Sequence, residues 1–124
     1  MTPKEAESVR QSMEKYYQGK FPKAKITLVS CPMPRALAAF PTSGEFAAQI
    51  RVNGKPVPTP VQKMQVGDEE VESPSTFIIS LQAAQMTMDH LKQHGIDPYF
   101  QFHGDLPLIG KFADTRASAA PDID

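Results

Sequence analysis

The chain has a single cysteine, Cys31, so no disulfide can close within it. That usage fits a reducing compartment. No apolar run exceeds the five residues Ala36–Phe40, whereas a membrane-spanning helix needs about 20. The first twenty residues are charged and amphipathic, which is not the pattern of a secretory leader. Together these features predict a cytoplasmic protein that does not enter a membrane. Neither sign of charge dominates. The formal net charge is −1, which excludes a global attraction to nucleic acid or to an anionic bilayer. Short catalytic signatures are also missing. There is no glycine-rich loop closing on Lys-Ser or Lys-Thr, no serine elbow and no acid pair at catalytic spacing. No cofactor is expected.

What is present points to one ordinary globular domain. A chain of 124 residues buries about two thirds of its unfolded surface without help from a metal or a disulfide. Hydrophobic residues make up 40% and charged residues 22%, both unremarkable. Proline is over-represented, at 12 residues, roughly twice its usual share. The domain is expected to span 1–114. Residues 115–124, small and polar, read as a disordered tail.

Local signals place most elements. Thr2-Pro3-Lys4-Glu5 is a capping box with proline at the first helical position. Ala6, Val9, Met13, Tyr16 and Tyr17 follow at helical spacing, and Gly19 and Pro22 stop the helix. Ala24–Val29 alternates as a strand does. Ala36–Phe40 fits either a short strand or a helical turn. Phe46, Ala48, Ile50 and Val52 alternate with polar or small residues and run into Asn53-Gly54, the pair favoured by a two-residue hairpin turn. That turn predicts Val52 opposite Lys55, Ile50 opposite Val57, Ala48 opposite Thr59 and Phe46 opposite Val61. Pro56, Pro58 and Pro60 then fall on the outer side, which is how an edge strand protects itself. Apolar parity shifts between Val61 and Met64, predicting a bulge or a new strand, and Gly67-Asp68 turns the chain towards Val71.

A second helix is predicted from about Pro74 to His94. Ser73 would cap it, and Phe77, Leu81, Ala84, Met88 and Leu91 would form its buried stripe. Tyr99–Phe102 reads as a further strand. The resulting class is α+β: a mostly antiparallel sheet of four to six strands with two helices packed on it, two layers in all. The expected element order is α-β-β-β-(β)-α-β.

Five features are candidates for function. Leu106, Leu108, Ile109 and Phe112 show neither helical nor strand period. They predict an apolar surface that binds a protein partner or a second copy of the chain; the plainer alternative is that they cap one end of the sheet. Lys20, Lys23 and Lys25 interleave with Tyr16, Tyr17 and Phe21, the residue types used to hold single-stranded nucleic acid; the favoured alternative is that those aromatics enter the core and leave the lysines solvated. His90 and His94, one helical turn apart, could hold a metal with His103 as a third ligand, although Lys92 lies between them and opposes a cation. Cys31 could serve as a nucleophile but has no supporting flank. The acidic run Asp68–Glu72 fits a solvated turn or a docking surface for a basic partner. The leading expectation is a non-catalytic protein-binding domain, such as an inhibitor, an immunity- or antidefence-type factor or an accessory subunit. A nucleic-acid-binding protein and a small metal-dependent enzyme are the alternatives.

Overall fold

A computed structural model of the chain describes residues 1–39, 43–95 and 109–112. The first helix, α1 (Pro3–Lys20), starts where its capping box requires. The Glu5 N–H donates to Thr2 Oγ1 at 3.1 Å, and the Thr2 N–H donates to Glu5 Oε1 at 2.9 Å. Ala6, Val9, Met13 and Tyr17 form its buried stripe. Next come β1 (Ile26–Cys31), the short helix α2 (Arg35–Ala38), β2 (Ala47–Val52) and β3 (Lys55–Pro56). A hairpin arm follows, built from β4 (Lys63–Val66) and β5 (Glu69–Glu72). The chain returns through β6 (Ile78–Ser80) into α3 (Leu81–Gln93), and a last helical turn, α4, covers 109–112.

All strand pairings among the described residues are antiparallel, and the protein is a small α+β fold. β2 is the central strand. β1 runs along one side of it in full register, from Ile26 opposite Val52 to Cys31 opposite Ala47. Its other side is shared: β3 pairs with Arg51 and Val52, and β6 pairs with Ala47, Ala48 and Gln49. Helices α1 and α3 touch each other on one face of this sheet. There Ile26, Leu28, Ala48, Ile50, Val52 and Val57 join Met13, Tyr17 and Leu81 in one buried cluster.

The hairpin turn forms as its dipeptide demands, with φ of 52° at Asn53 and 83° at Gly54. Beyond it the predicted pairing holds for two steps and then fails. Val52 faces Lys55, and the Val57 N–H donates to the Ile50 carbonyl at 3.3 Å. The Ile50 N–H, however, donates to the Phe77 carbonyl at 3.0 Å, and the Phe77 N–H donates to the Val57 carbonyl at 2.8 Å. Three strands thus meet in a closed ring of backbone hydrogen bonds, and β6 wedges between β2 and the proline-bearing strand. Thr59 and Val61 are therefore not partners of β2. The Thr59 N–H donates to the Ser75 carbonyl at 2.9 Å, and Val61 is exposed. The predicted bulge is present: Pro58 faces Thr76 but Lys63 faces Glu72, so one extra residue lies on the first strand between them. Pro56, Pro58 and Pro60 are exposed, and among the described residues no strand pairs along their outer side.

The second helix begins seven residues later than its proline cap predicted. Residues up to Ser80 are extended, and Ser80, not Ser73, is the N-cap, its Oγ accepting from the Ala83 N–H at 3.2 Å. Thr76-Phe77-Ile78-Ile79 is aromatic and β-branched, which favours a strand, and the open half of β2 supplies the partner. Phe77 and Leu81 are both buried, but Phe77 lies outside the helix; Met88 is buried only in part. The expected strand Tyr99–Phe102 and the expected tail 115–124 lie outside the described residues.

Candidate functional site

The sheet has two edges and two faces, and three of these four surfaces are closed among the described residues. One face carries α1 and α3. The β3 edge carries the prolines, whose missing N–H groups leave no donors for an incoming strand. The β1 edge is closed by side chains. Arg10, Glu14 and Gln18 recur at spacing four on α1, beside its buried stripe. The Leu28 N–H donates to Glu14 Oε2 at 2.9 Å, and Arg10 Nη1 donates to the Leu28 carbonyl at 2.7 Å. The Ile26 N–H donates to Gln18 Oε1 at 2.9 Å, while Gln18 Nε2 donates to the Ala24 carbonyl at 2.7 Å. Outward-pointing backbone groups of β1 are thus consumed by one helix. Strand addition, the usual hazard or use of an edge, is blocked there.

The second face of the sheet remains. Strand alternation puts Thr27 and Val29 of β1, Gln49 and Arg51 of β2 and Ile78 of β6 on it, opposite the helix-covered set. Val29 is 37% exposed and the other four are half-buried, whereas Ala47, at the α2 end of the same face, is buried. A polar relay crosses this face. Arg51 Nε donates to Gln49 Oε1 at 2.8 Å, and Gln49 Nε2 donates to Thr76 Oγ1 at 3.1 Å. Arg51 forms no ion pair among the described residues. Thr76 also lines a groove of about 340 Å³ between α2 and the root of the arm. Leu37, Pro60, Pro74 and Ile78 supply its apolar wall. Such a combination can hold a side chain in the groove and orient an anion at the guanidinium; it contains no acid–base pair.

Cys31 ends β1 and is half-buried. Burial pushes its thiol pKa up, an effect partly opposed by the charge of Arg51. A raised pKa keeps the thiol protonated at neutral pH, the reverse of an activated nucleophile.

The other sequence candidates are scattered over the fold. Ile109 is fully buried in the main core, and Phe112 is partly buried against it. Gly110 lies close to Phe21: a Cβ there would stand 3.1 Å from the Phe21 ring. Ile109 and Phe112 therefore serve the core, and Ile109 has no exposed surface to offer. Leu106 and Leu108 lie outside the described residues. Lys20, Lys23 and Lys25 are exposed, but the aromatics between them are not a platform: Tyr17 is fully buried, and Tyr16 and Phe21 are half-buried against the core. His90 and His94 are exposed, with ring centroids 4.4 Å apart. His103 lies outside the described residues, and among those described no three His, Cys, Asp or Glu side chains gather as metal ligands. The acidic run forms the turn and second strand of the arm, where Glu69 Oε2 meets Arg35 Nη2 at 2.6 Å and Glu70 Oε1 lies 3.8 Å from Lys63 Nζ. None of the described helices is long and apolar enough to cross a membrane.

Gln49 and Arg51 were visible in the sequence as the polar side of a strand, but nothing marked them as a site. That required Thr76 to arrive on the neighbouring strand. No known family model matches the chain, and no curated protein or solved structure is detectably similar to it.

Proposed function

We propose that this domain works without catalysis, by stoichiometric binding of a protein partner in the cytoplasm through the open face of its sheet. The observation that carries the reading is the relay Arg51–Gln49–Thr76. It holds a guanidinium in place beside an apolar groove bordered by α2, on the face opposite α1 and α3. Interfaces combine such features, an apolar centre with an oriented arginine close by. Ile109 is not retained as a contact residue, because it belongs to the core.

The test is affinity capture from host extract with the intact chain as bait, followed by calorimetry with the purified captured protein. The expected result is a saturable complex of fixed stoichiometry that survives nuclease treatment. Capture that disappears after nuclease treatment would replace this reading with the nucleic-acid one.

A further inference from the structure

Resting on that protein-binding reading, we propose that the open face takes an extended acidic segment of the partner, with a carboxylate on Arg51 and an apolar side chain in the groove beside Thr76.

The argument starts from the guanidinium. Arginine has five N–H donors in a rigid fork. Here Nε is spent on Gln49, and Gln49 is held in turn by Thr76. This fixes the plane of the fork while its Nη groups meet no acid among the described residues. A fork oriented in advance and lacking a carboxylate matches carboxylate geometry, and the ordering cost of the side chain is already met within the domain.

Charge on the face points the same way. By alternation the strand residues directed to it include Arg51 but no Asp or Glu, while Lys25 precedes β1 and Glu45 precedes β2. Among the described residues the acids cluster on α1 and on the arm, with Glu45 ahead of β2 and Asp89 on α3. An acidic ligand therefore meets attraction at Arg51, and a basic one meets repulsion there.

Thr76 joins the anchor to the groove, since it both accepts from Gln49 and lines the cavity. Both sheet edges are closed, by prolines and by the Arg10–Glu14–Gln18 stripe. The segment cannot add as another strand. It must be held through side chains, and the face provides one charged and one apolar contact for that purpose. A second copy's arm is a poorer occupant, because it is already a paired hairpin with Glu69 engaged by Arg35. Nucleic acid is poorer too, because no aromatic side chain projects from the open face of the described strands for base stacking.

Selection of random peptides displayed on phage against the intact chain tests this directly. The enriched peptides should carry Asp or Glu close to Leu, Ile or Phe. A fluorescein-labelled synthetic copy of the leading peptide should bind in a polarisation assay. Arg51→Glu should weaken that binding about tenfold or more, and Arg51→Lys, which keeps the charge but loses the fork, by less. Ile78→Asp, in the groove wall, should also weaken it. Arg51→Gln should unfold in denaturant as the wild type does, separating lost binding from lost folding. Peptides without acids, no enrichment, or binding indifferent to Arg51→Glu overturns the proposal. If binding is indifferent and the captured protein still forms its complex, the protein-binding reading stands while this docking mode falls. A labelled oligothymidylate that competes with the peptide, or a dimer dissolved by Arg51→Glu, would assign the face to nucleic acid or to self-association instead.

Discussion

Adjacent residues of β2 meet opposite surroundings. Ile50 and Val52 are fully buried under the helices, while Gln49 and Arg51 project from the other face and stay half-exposed. The two faces share one backbone and one register, so neither can shift without the other. The covered face supplies the apolar burial that drives folding. Freed from that duty, the open face can carry an arginine without an acid partner at little cost to stability. Division of labour across the thickness of one strand is therefore the organising feature of this molecule.

The sharpest way to break the comparison is to exchange a residue on each face. Ile50→Ala removes three methyl or methylene groups from a fully buried site and should cost about 2–5 kcal/mol in denaturant unfolding. Thr27→Ala, on the open face, should stay within about 0.5 kcal/mol of the wild type. Equal losses would mean that both faces are core.

A smaller effect is expected where α1 closes the β1 edge. Glu14→Ala takes the acceptor from the Leu28 N–H and a partner from Arg10. It should cost about 1–3 kcal/mol, and hydrogen exchange at Leu28 should speed up by more than the global loss accounts for. Unchanged protection at Leu28 would show that the carboxylate is not what holds that amide.

The smallest effect is a pH dependence at the surface. Hydrogen bonds from Arg10 and Gln11 bring the Glu7 carboxyl down from 4.5 to about 2. A carboxylate with a lowered folded-state pKa adds stability above its unfolded pKa and loses it on acidification. Any stability gap between the wild type and Glu7→Gln should therefore be present at neutral pH, shrink as pH falls below 4.5 and be gone near 2. Because Glu7 is exposed, the gap should be slight and should fade in high salt. A gap independent of pH would contradict the assignment.

Features set by neighbouring residues were legible in the sequence. The capping box of α1 needs only Thr2 and Glu5, the hairpin turn only Asn53 and Gly54, and the alternation of β1 only its own residues. The bulge after Thr59 also announced itself, through the parity shift between Val61 and Met64. Arg10, Glu14 and Gln18 were overlooked, although their spacing of four beside the apolar stripe was a usable signal. The start of α3 was misplaced because Ser73-Pro74 and Ser80 are both competent caps, and the strand propensity of Thr76–Ile79 between them was outweighed by the apolar stripe that runs through Phe77.

That choice belonged to β2. Along Ala47–Gln49 its outer side needed a hydrogen-bonding partner, and Thr76–Ile79 could supply one only by staying extended. The same decision made the candidate site, since Gln49 reaches Thr76 only when that segment lies beside it as a strand. Sequence by itself determined what short-range sterics and hydrogen bonding can determine: caps, turns, strand parity and the α+β class. Tertiary structure decided which strand fills the second side of β2, because backbone hydrogen bonds between distant segments are satisfied by the assembly as a whole, and the strand propensity of a segment does not name its partner.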